Sequence, residues 1–148
     1  MALESGSSQD TPVHPVLDAS ALLALLHNER GADVVAEAVA GRAVISIVNL
    51  AEVLSKFAER GSAPDQVMAL LQAEGGIGGA ITVEPFTEAD AIEVARLRPV
   101  SKTAGLSLGD RACLALAKRL HQPALTAEHG WLTIQTEVGV RVIRERRS

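Results

Sequence analysis

Four acids hold comparable places in this chain. Asp18 ends the apolar run "PVLD", Glu52 follows the run "AVISIV", Asp110 opens the amphipathic stretch "LSLGDRACLALAKRL", and Glu128 follows "PALTA". Carboxylates gathered from such places repel one another. Two of them about 4 Å apart cost roughly 4 kcal/mol at an effective dielectric of about 20. Either some are protonated at neutral pH or a divalent cation neutralises them. Oxygen ligands without His or Cys select Mg²⁺ or Mn²⁺ over zinc. A carboxylate-held pair of such ions cleaves phosphodiesters, one ion activating water and the other stabilising the leaving oxygen.

Each acid also has a structural reading. Ser107 and Asp110 form an S-x-x-D capping box, which satisfies orphan N–H groups at the positive end of a helix. Yet Asp110 lies three residues before Cys113, and Cys113, Leu116, Ala117 and Leu120 recur at helical spacing. The carboxylate therefore falls on the apolar half, while Arg111, Lys118 and Arg119 turn outward. Glu52 points away from the stripe Leu50, Val53, Leu54 and Phe57, with Asn49 as a cap three residues before it. Glu128 suits the start of any short helix. Asp18, directly after an apolar strand, has the fewest structural reasons to be there.

The elements that must position these acids alternate. Strands are expected at 15–18, 43–48, 80–86, 123–127 and 140–143, and helices at 20–28, 31–41, 49–61, 63–75, 87–98 and 106–120. The glycine-rich 75–80 is a connection, "PVSKTAGLS" (99–107) a loop bordering the site, and 128–135 a short helical turn. Strand–helix alternation implies parallel pairing with right-handed crossovers, an α/β sandwich of helix, sheet and helix. In such a sheet, ligand sites form outside the carboxyl ends of the strands. Three of the acids follow strand ends and one starts a helix, so all four can converge.

Composition narrows the function classes. The 148 residues suit one domain, 16–148, and the preceding 1–15 read as a polar tail, native or appended, that stays disordered. No apolar run is long enough to span a membrane, and the tail lacks a signal-peptide core, so a cytoplasmic protein is expected. A single Cys113 on an apolar helix face is a core residue, and the four histidines lack zinc-ligand spacing. A net charge of −4 and only three aromatics, Phe57, Phe86 and Trp131, argue against nucleic-acid binding by bulk charge or base stacking. A bridging cation or a local cluster such as "RVIRERRS" (141–148) would be needed; that cluster reads first as a solvated tail.

The blocks "VLDASALLALL", "ISIVNLAEVLSKF", "LSLGDRACLALAKRL" and "ALTAEHGW" resemble, in this order, the four motif blocks of PIN-domain ribonucleases, specifically the VapC-type toxins of bacterial toxin–antitoxin pairs. The resemblance covers 16–143. It implies a five-stranded parallel sheet, Mg²⁺- or Mn²⁺-dependent cleavage of RNA, homodimerisation and inhibition by a cognate antitoxin. Carried over position by position, the metal-binding acids are Asp18, Glu52 and Asp110. The fourth acid of the catalytic set, usually Asp in a T-x-D context, falls on Glu128 after Thr126, one methylene longer.

Supporting roles stay open between two readings each. Ser20 and Thr126 hold a metal-bound water, or Ser20 is a helix cap. Arg111 grips an RNA phosphate or an antitoxin carboxylate, or is simply solvated. His129 is expected on the surface and Trp131 in the core. The function expected is a metal-dependent endoribonuclease toxin; the alternative is a catalytically weak PIN-like module that binds RNA or protein. A phosphoryl-accepting receiver domain lacks its paired acids and downstream Lys here.

Overall fold

A computed structural model describes residues 12–146. Five short strands form one parallel sheet: β1 (Val16–Leu17), β2 (Ala43–Ser46), β3 (Ile81–Glu84), β4 (Ala124–Thr126) and β5 (Val140–Val142), in the order β3-β2-β1-β4-β5. The helices are α1 (Ala19–Leu26), α2 (Ala32–Ala40), α3 (Ile47–Glu59), α4 (Pro64–Ala73), α5 (Glu88–Ser101) and α6 (Leu108–Leu120), with a 3₁₀ turn at His129–Thr133.

Because side chains alternate across a strand, register partners share a face. The row Val44, Val16, Ala124 and Val140 packs with Leu97 of α5, Cys113, Leu116 and Ala117 of α6, and Trp131. The row Val83, Ile45, Leu17 and Leu125 packs with Ala21 and Leu22 of α1, Val35 of α2, Leu50 and Val53 of α3, and Leu71 of α4. Helices α1–α4 thus cover one face and α5–α6 the other, the three-layer sandwich that the alternation predicts. Each such fully buried Leu or Ile contributes about 1.5–3 kcal/mol relative to exposure. Trp131 and Cys113 are core residues, as expected.

The chain starts in the middle of the sheet, adds β2 and β3 on one side, then crosses through α5 and α6 to add β4 and β5 on the other. The switch point lies between β1 and β4, and the crevice outside their carboxyl ends is where such folds place a site.

Several boundaries differ from expectation for local reasons. Strand β2 stops at Ser46 because its side chain caps α3, accepting from the Val48 N–H at 3.1 Å. Asn49 is therefore not the cap but a buried first-turn residue. Helix α5 runs on through Pro99 to Ser101, so the following loop begins at Lys102. Residues His14 and Pro15 hydrogen-bond to Gln122, Arg42 and Val44. The expected tail over 1–11 and the last two residues of the arginine cluster lie outside the described residues. Among the described residues no helix is long and apolar enough to cross a membrane.

Candidate active site

Asp18 leaves β1 and becomes the N-cap of α1, accepting from the Ala21 N–H at 2.8 Å. Ser20 is thus not the cap. Its hydroxyl lies 2.8 and 2.9 Å from the two Asp18 oxygens, and the Thr126 hydroxyl donates to Oδ2 at 2.6 Å. Ser20 Oγ in turn accepts from the Ala127 N–H, and Thr126 Oγ1 from the Glu128 N–H. The ends of β1 and β4 are locked together through this one carboxylate. Asp18 is almost wholly buried, 1% exposed. Burial pushes its pKa up to about 7; bonds from Thr126, Ala21 and Ser20 hold it down in part, and Glu128 pushes further.

Glu52, in the second turn of α3, is half-buried beside the start of α6. Asn49 Nδ2 donates to Glu52 Oε1 at 2.8 Å and to the Gly109 carbonyl at 3.0 Å, tying the two helix starts together. The carboxyl group lies against Gly109, where a Cβ would meet Oε1 at 2.2 Å. Burial and then the Asp110 charge raise the Glu52 pKa, with Asn49 and Lys56 offsetting part of the rise.

Asp110 completes the predicted capping box: its N–H donates to Ser107 Oγ at 3.1 Å, and its Oδ2 accepts from the Ser107 N–H at 2.9 Å. Burial nonetheless raises its pKa, against the Ser107 bonds and the Arg111 charge. Capping therefore does not exhaust Asp110. Glu128, beyond β4, is exposed as a residue, yet its carboxyl is partly shielded from water. That shielding, then the Asp110 and Glu52 charges, raise its pKa. The indole N–H of Trp131 points towards it and partly offsets the rise, without the geometry of a full hydrogen bond.

The four acids thus lie within one another's fields: Asp18 with Glu128, Glu52 with Asp110, and Glu128 with both Asp110 and Glu52. Beneath them the buried Cys113 thiol is raised by burial and by the charges of Asp18, Asp110 and Glu52. Among the described residues, the buried side-chain polar atoms without a partner are Asn49 Oδ1, Arg111 Nε and Trp131 Nε1. Asn49 holds Glu52, Arg111 adjoins Asp110 and Trp131 faces Glu128, so unmet polarity collects around the acids.

The donor set is all oxygen, which fits a hard divalent cation in kind. Among the described residues no three His, Cys, Asp or Glu side chains stand close enough together to hold one ion. That suits Mg²⁺, which takes one or two carboxylates and completes its shell with water and substrate phosphate.

Arg111 is half-buried and donates from Nη1 to the Val94 carbonyl at 2.9 Å, strapping α6 to α5. His129 is half-buried and hydrogen-bonded to the Arg144 carbonyl at 2.8 Å. The 102–107 loop reaches the 3₁₀ turn, its Ala104 carbonyl 3.4 Å from where a Gly130 Cβ would be. Asn49 and Gly109 are the site residues missed in the sequence; a glycine in the first turn of an otherwise good helix is the signal that marks the second. A larger cleft, of about 700 Å³, opens at the opposite edge by Pro123 and Gly139, where Lys118 and Arg119 are already paired with Glu93 and Asp90.

A PIN domain family model matches residues 16–135. No curated protein matches the chain. Among solved structures, a chain of the DNA-bound VapBC complex from Salmonella typhimurium is 18% identical, with a TM-score of 0.66 over 88% of this chain and 98% of that one. A chain of the Rickettsia felis VapBC2 complex, bound to a promoter DNA fragment, is 15% identical, with a TM-score of 0.65 over 87% and 98%. A chain of FitAcB from Neisseria gonorrhoeae is 22% identical, with a TM-score of 0.61 over 84% and 94%. The resemblance to PIN domains drawn from the four sequence blocks holds, and with it the five-stranded sheet: this chain belongs to the PIN domain family.

Proposed function

We propose that this protein is a divalent-metal-dependent endoribonuclease acting as the toxin of a toxin–antitoxin pair. The observation that carries the reading is the gathering of Asp18, Glu52, Asp110 and Glu128 from four separate elements, each with its pKa raised. A fold gains nothing from assembling mutually repelling carboxylates unless a cation is to join them. Asp18, Glu52 and Asp110 would hold Mg²⁺ or Mn²⁺ by one or two carboxylates at a time, water and substrate phosphate completing the shell, with Glu128 at the solvent-facing rim. When bound, the metal offsets the acids' charge, draws in substrate phosphate and polarises water for in-line attack on phosphorus.

The chain's own residues supply position. Ser20 and Thr126 spend their hydroxyl protons on Asp18, which fixes its orientation. Asn49 holds Glu52 through one oxygen, and Ser107 holds Asp110 through Oδ2. Both acids keep a second oxygen for the cation.

A protein antitoxin as partner follows from the likeness to chains of VapBC and FitAcB complexes, and a homodimer from the motif resemblance. The test is cleavage of RNA by the purified chain in Mg²⁺ or Mn²⁺ and in EDTA, beside Asp18→Asn. Cleavage that needs metal and vanishes in the variant supports the reading. Metal-independent cleavage, or full activity in Asp18→Asn, overturns it. RNA binding with no cleavage under any metal favours the non-cutting binding module.

A further inference from the structure

Within the described part of the arginine cluster, Arg144 is half-buried and bonded to the rest of the chain, while Glu145 and Arg146 are exposed. Residues 144–146 fold back onto the α1–α2 connection and enclose a cleft of about 550 Å³ lined by Glu29, Arg30, His129, Arg144, Glu145 and Arg146. The two strands of this contact hold each other. Arg30 Nη2 donates to the Glu145 carbonyl, and Arg144 Nη1 donates to the Arg30 carbonyl at 3.2 Å and to Glu29 Oε1 at 3.5 Å. The bond between the His129 ring and the Arg144 carbonyl, a pure acceptor, fixes Nε2 as the protonated nitrogen and leaves Nδ1 free.

We infer that this cleft binds a backbone phosphate of the RNA strand flanking the site of cleavage. The inference rests on the ribonuclease reading above, because adjacency to the acids is what gives the cleft its ligand. His129 follows Glu128 directly, so the cleft opens at the same carboxyl edge of the sheet, one residue from the rim acid. Three arginines outnumber the two glutamates, and one of those, Glu29, is engaged by Arg144. Each guanidinium carries five N–H donors in a fixed fork, and the contacts above consume only one nitrogen on Arg30 and one on Arg144. Arg146 makes no hydrogen bond or ion pair among the described residues. The spare donors of Arg30 and Arg144 are held in place by backbone carbonyls, so these two lose little side-chain entropy on taking a phosphate, while Arg146 brings a charge unpaired among the described residues. The cleft's His129 adjoins Glu128 in the chain, so phosphates next to one held at the acidic site are its natural ligand, a local means by which a chain of net charge −4 recruits RNA. An acidic segment of a protein partner shares the fork chemistry but gains nothing from the adjacent acids.

The test is fluorescence anisotropy of a short labelled single-stranded RNA on the full chain in EDTA, over a range of salt, comparing wild type with Arg30→Gln, Arg146→Gln and Arg146→Glu. Thermal melts confirm folding, and Arg146→Gln serves if Arg30→Gln melts early. Supporting results are a several-fold loss of affinity in Arg146→Gln, a larger loss in Arg146→Glu, and a salt slope lowered by about 0.7 for each phosphate contact removed. Unchanged affinity and slope overturn the inference. So does a loss of affinity with an unchanged slope, which marks a structural effect. Polyglutamate binding that depends on Arg146 while RNA binding does not would give the cleft to a protein partner instead. Absence of metal-dependent cleavage alongside intact, arginine-dependent RNA binding would remove the ribonuclease reading and, with it, the placement of this phosphate beside a site of cleavage, leaving a cleft that binds RNA in a non-cutting module.

Discussion

The Glu52 carboxyl group occupies the space in which a Cβ on Gly109 would sit, 2.2 Å from Oε1 and 2.7 Å from Oε2. Gly109 lies in the first turn of α6 with its carbonyl held by Asn49 Nδ2. Here glycine serves close approach rather than a turn. Gly109→Ala forces the Glu52 carboxyl out, which a flexible side chain concedes cheaply, while the helix gains about 0.5–1 kcal/mol of propensity. The expected outcome is a melting temperature unchanged or raised, together with a loss of RNA cleavage of tenfold or more. Chemical denaturation beside a cleavage assay checks both; retained activity would mean that the position of Glu52 is unimportant.

Asp18 gives a pH signature. Its pKa of about 7 in the folded chain exceeds the ordinary 3.8. The stability this group contributes is therefore fully present below about 3.8 and is lost as pH rises through about 7, by up to about 4 kcal/mol. Asn cannot ionise, and the Ser20 and Thr126 hydroxyls turn from donors to acceptors for its amide. In EDTA, Asp18→Asn should melt above wild type at pH 8, with the gap narrowing to under half by pH 5 and closing only towards pH 4. Melting curves over that range decide it, and a gap that is flat with pH would contradict the burial of the charge.

Metal binding separates two acids with the same local motif. Asp90 and Asp110 both close capping boxes, with Thr87 and Ser107. Burial raises Asp90, but the Arg119 guanidinium, bonded at 2.9 and 3.1 Å, outweighs it and lowers the pKa; Asp110 is raised. Calorimetric titration with Mg²⁺ or Mn²⁺ should lose its signal in Asp110→Ala and keep it in Asp90→Asn. The latter should instead lose about 1–3 kcal/mol of stability. Binding retained in Asp110→Ala would remove Asp110 from the site.

Ser107→Ala removes the hydroxyl that accepts the Asp110 N–H and costs about 1 kcal/mol, typical for an N-cap. The Asp110 carboxylate keeps its bond to the Ser107 backbone N–H, so cleavage should fall far less than in Asp110→Ala. A comparable fall would make the cap hydroxyl part of the site itself.

The sequence by itself determined the order of strands and helices, the parallel sandwich, and the places of Asp18, Glu52, Asp110 and Glu128 near its carboxyl edge. These are local matters: apolar runs, capping residues and the alternation that forces crossovers. It did not determine which residue caps what, since Asp18, Ser20, Ser46 and Asn49 all suit that role and the strand end chooses among them. Nor did it show Asn49 spanning two helices, or residues 144–146 closing a cleft with Arg30, because those contacts join segments distant in the chain. The two capping boxes make the division plain. Thr87–Asp90 and Ser107–Asp110 are nearly the same pattern, and tertiary structure alone sets Arg119 against one acid and Glu52 and Glu128 near the other. A carboxylate's role follows from which charges the fold brings within a few ångströms of it, and spacing along the chain does not carry that information.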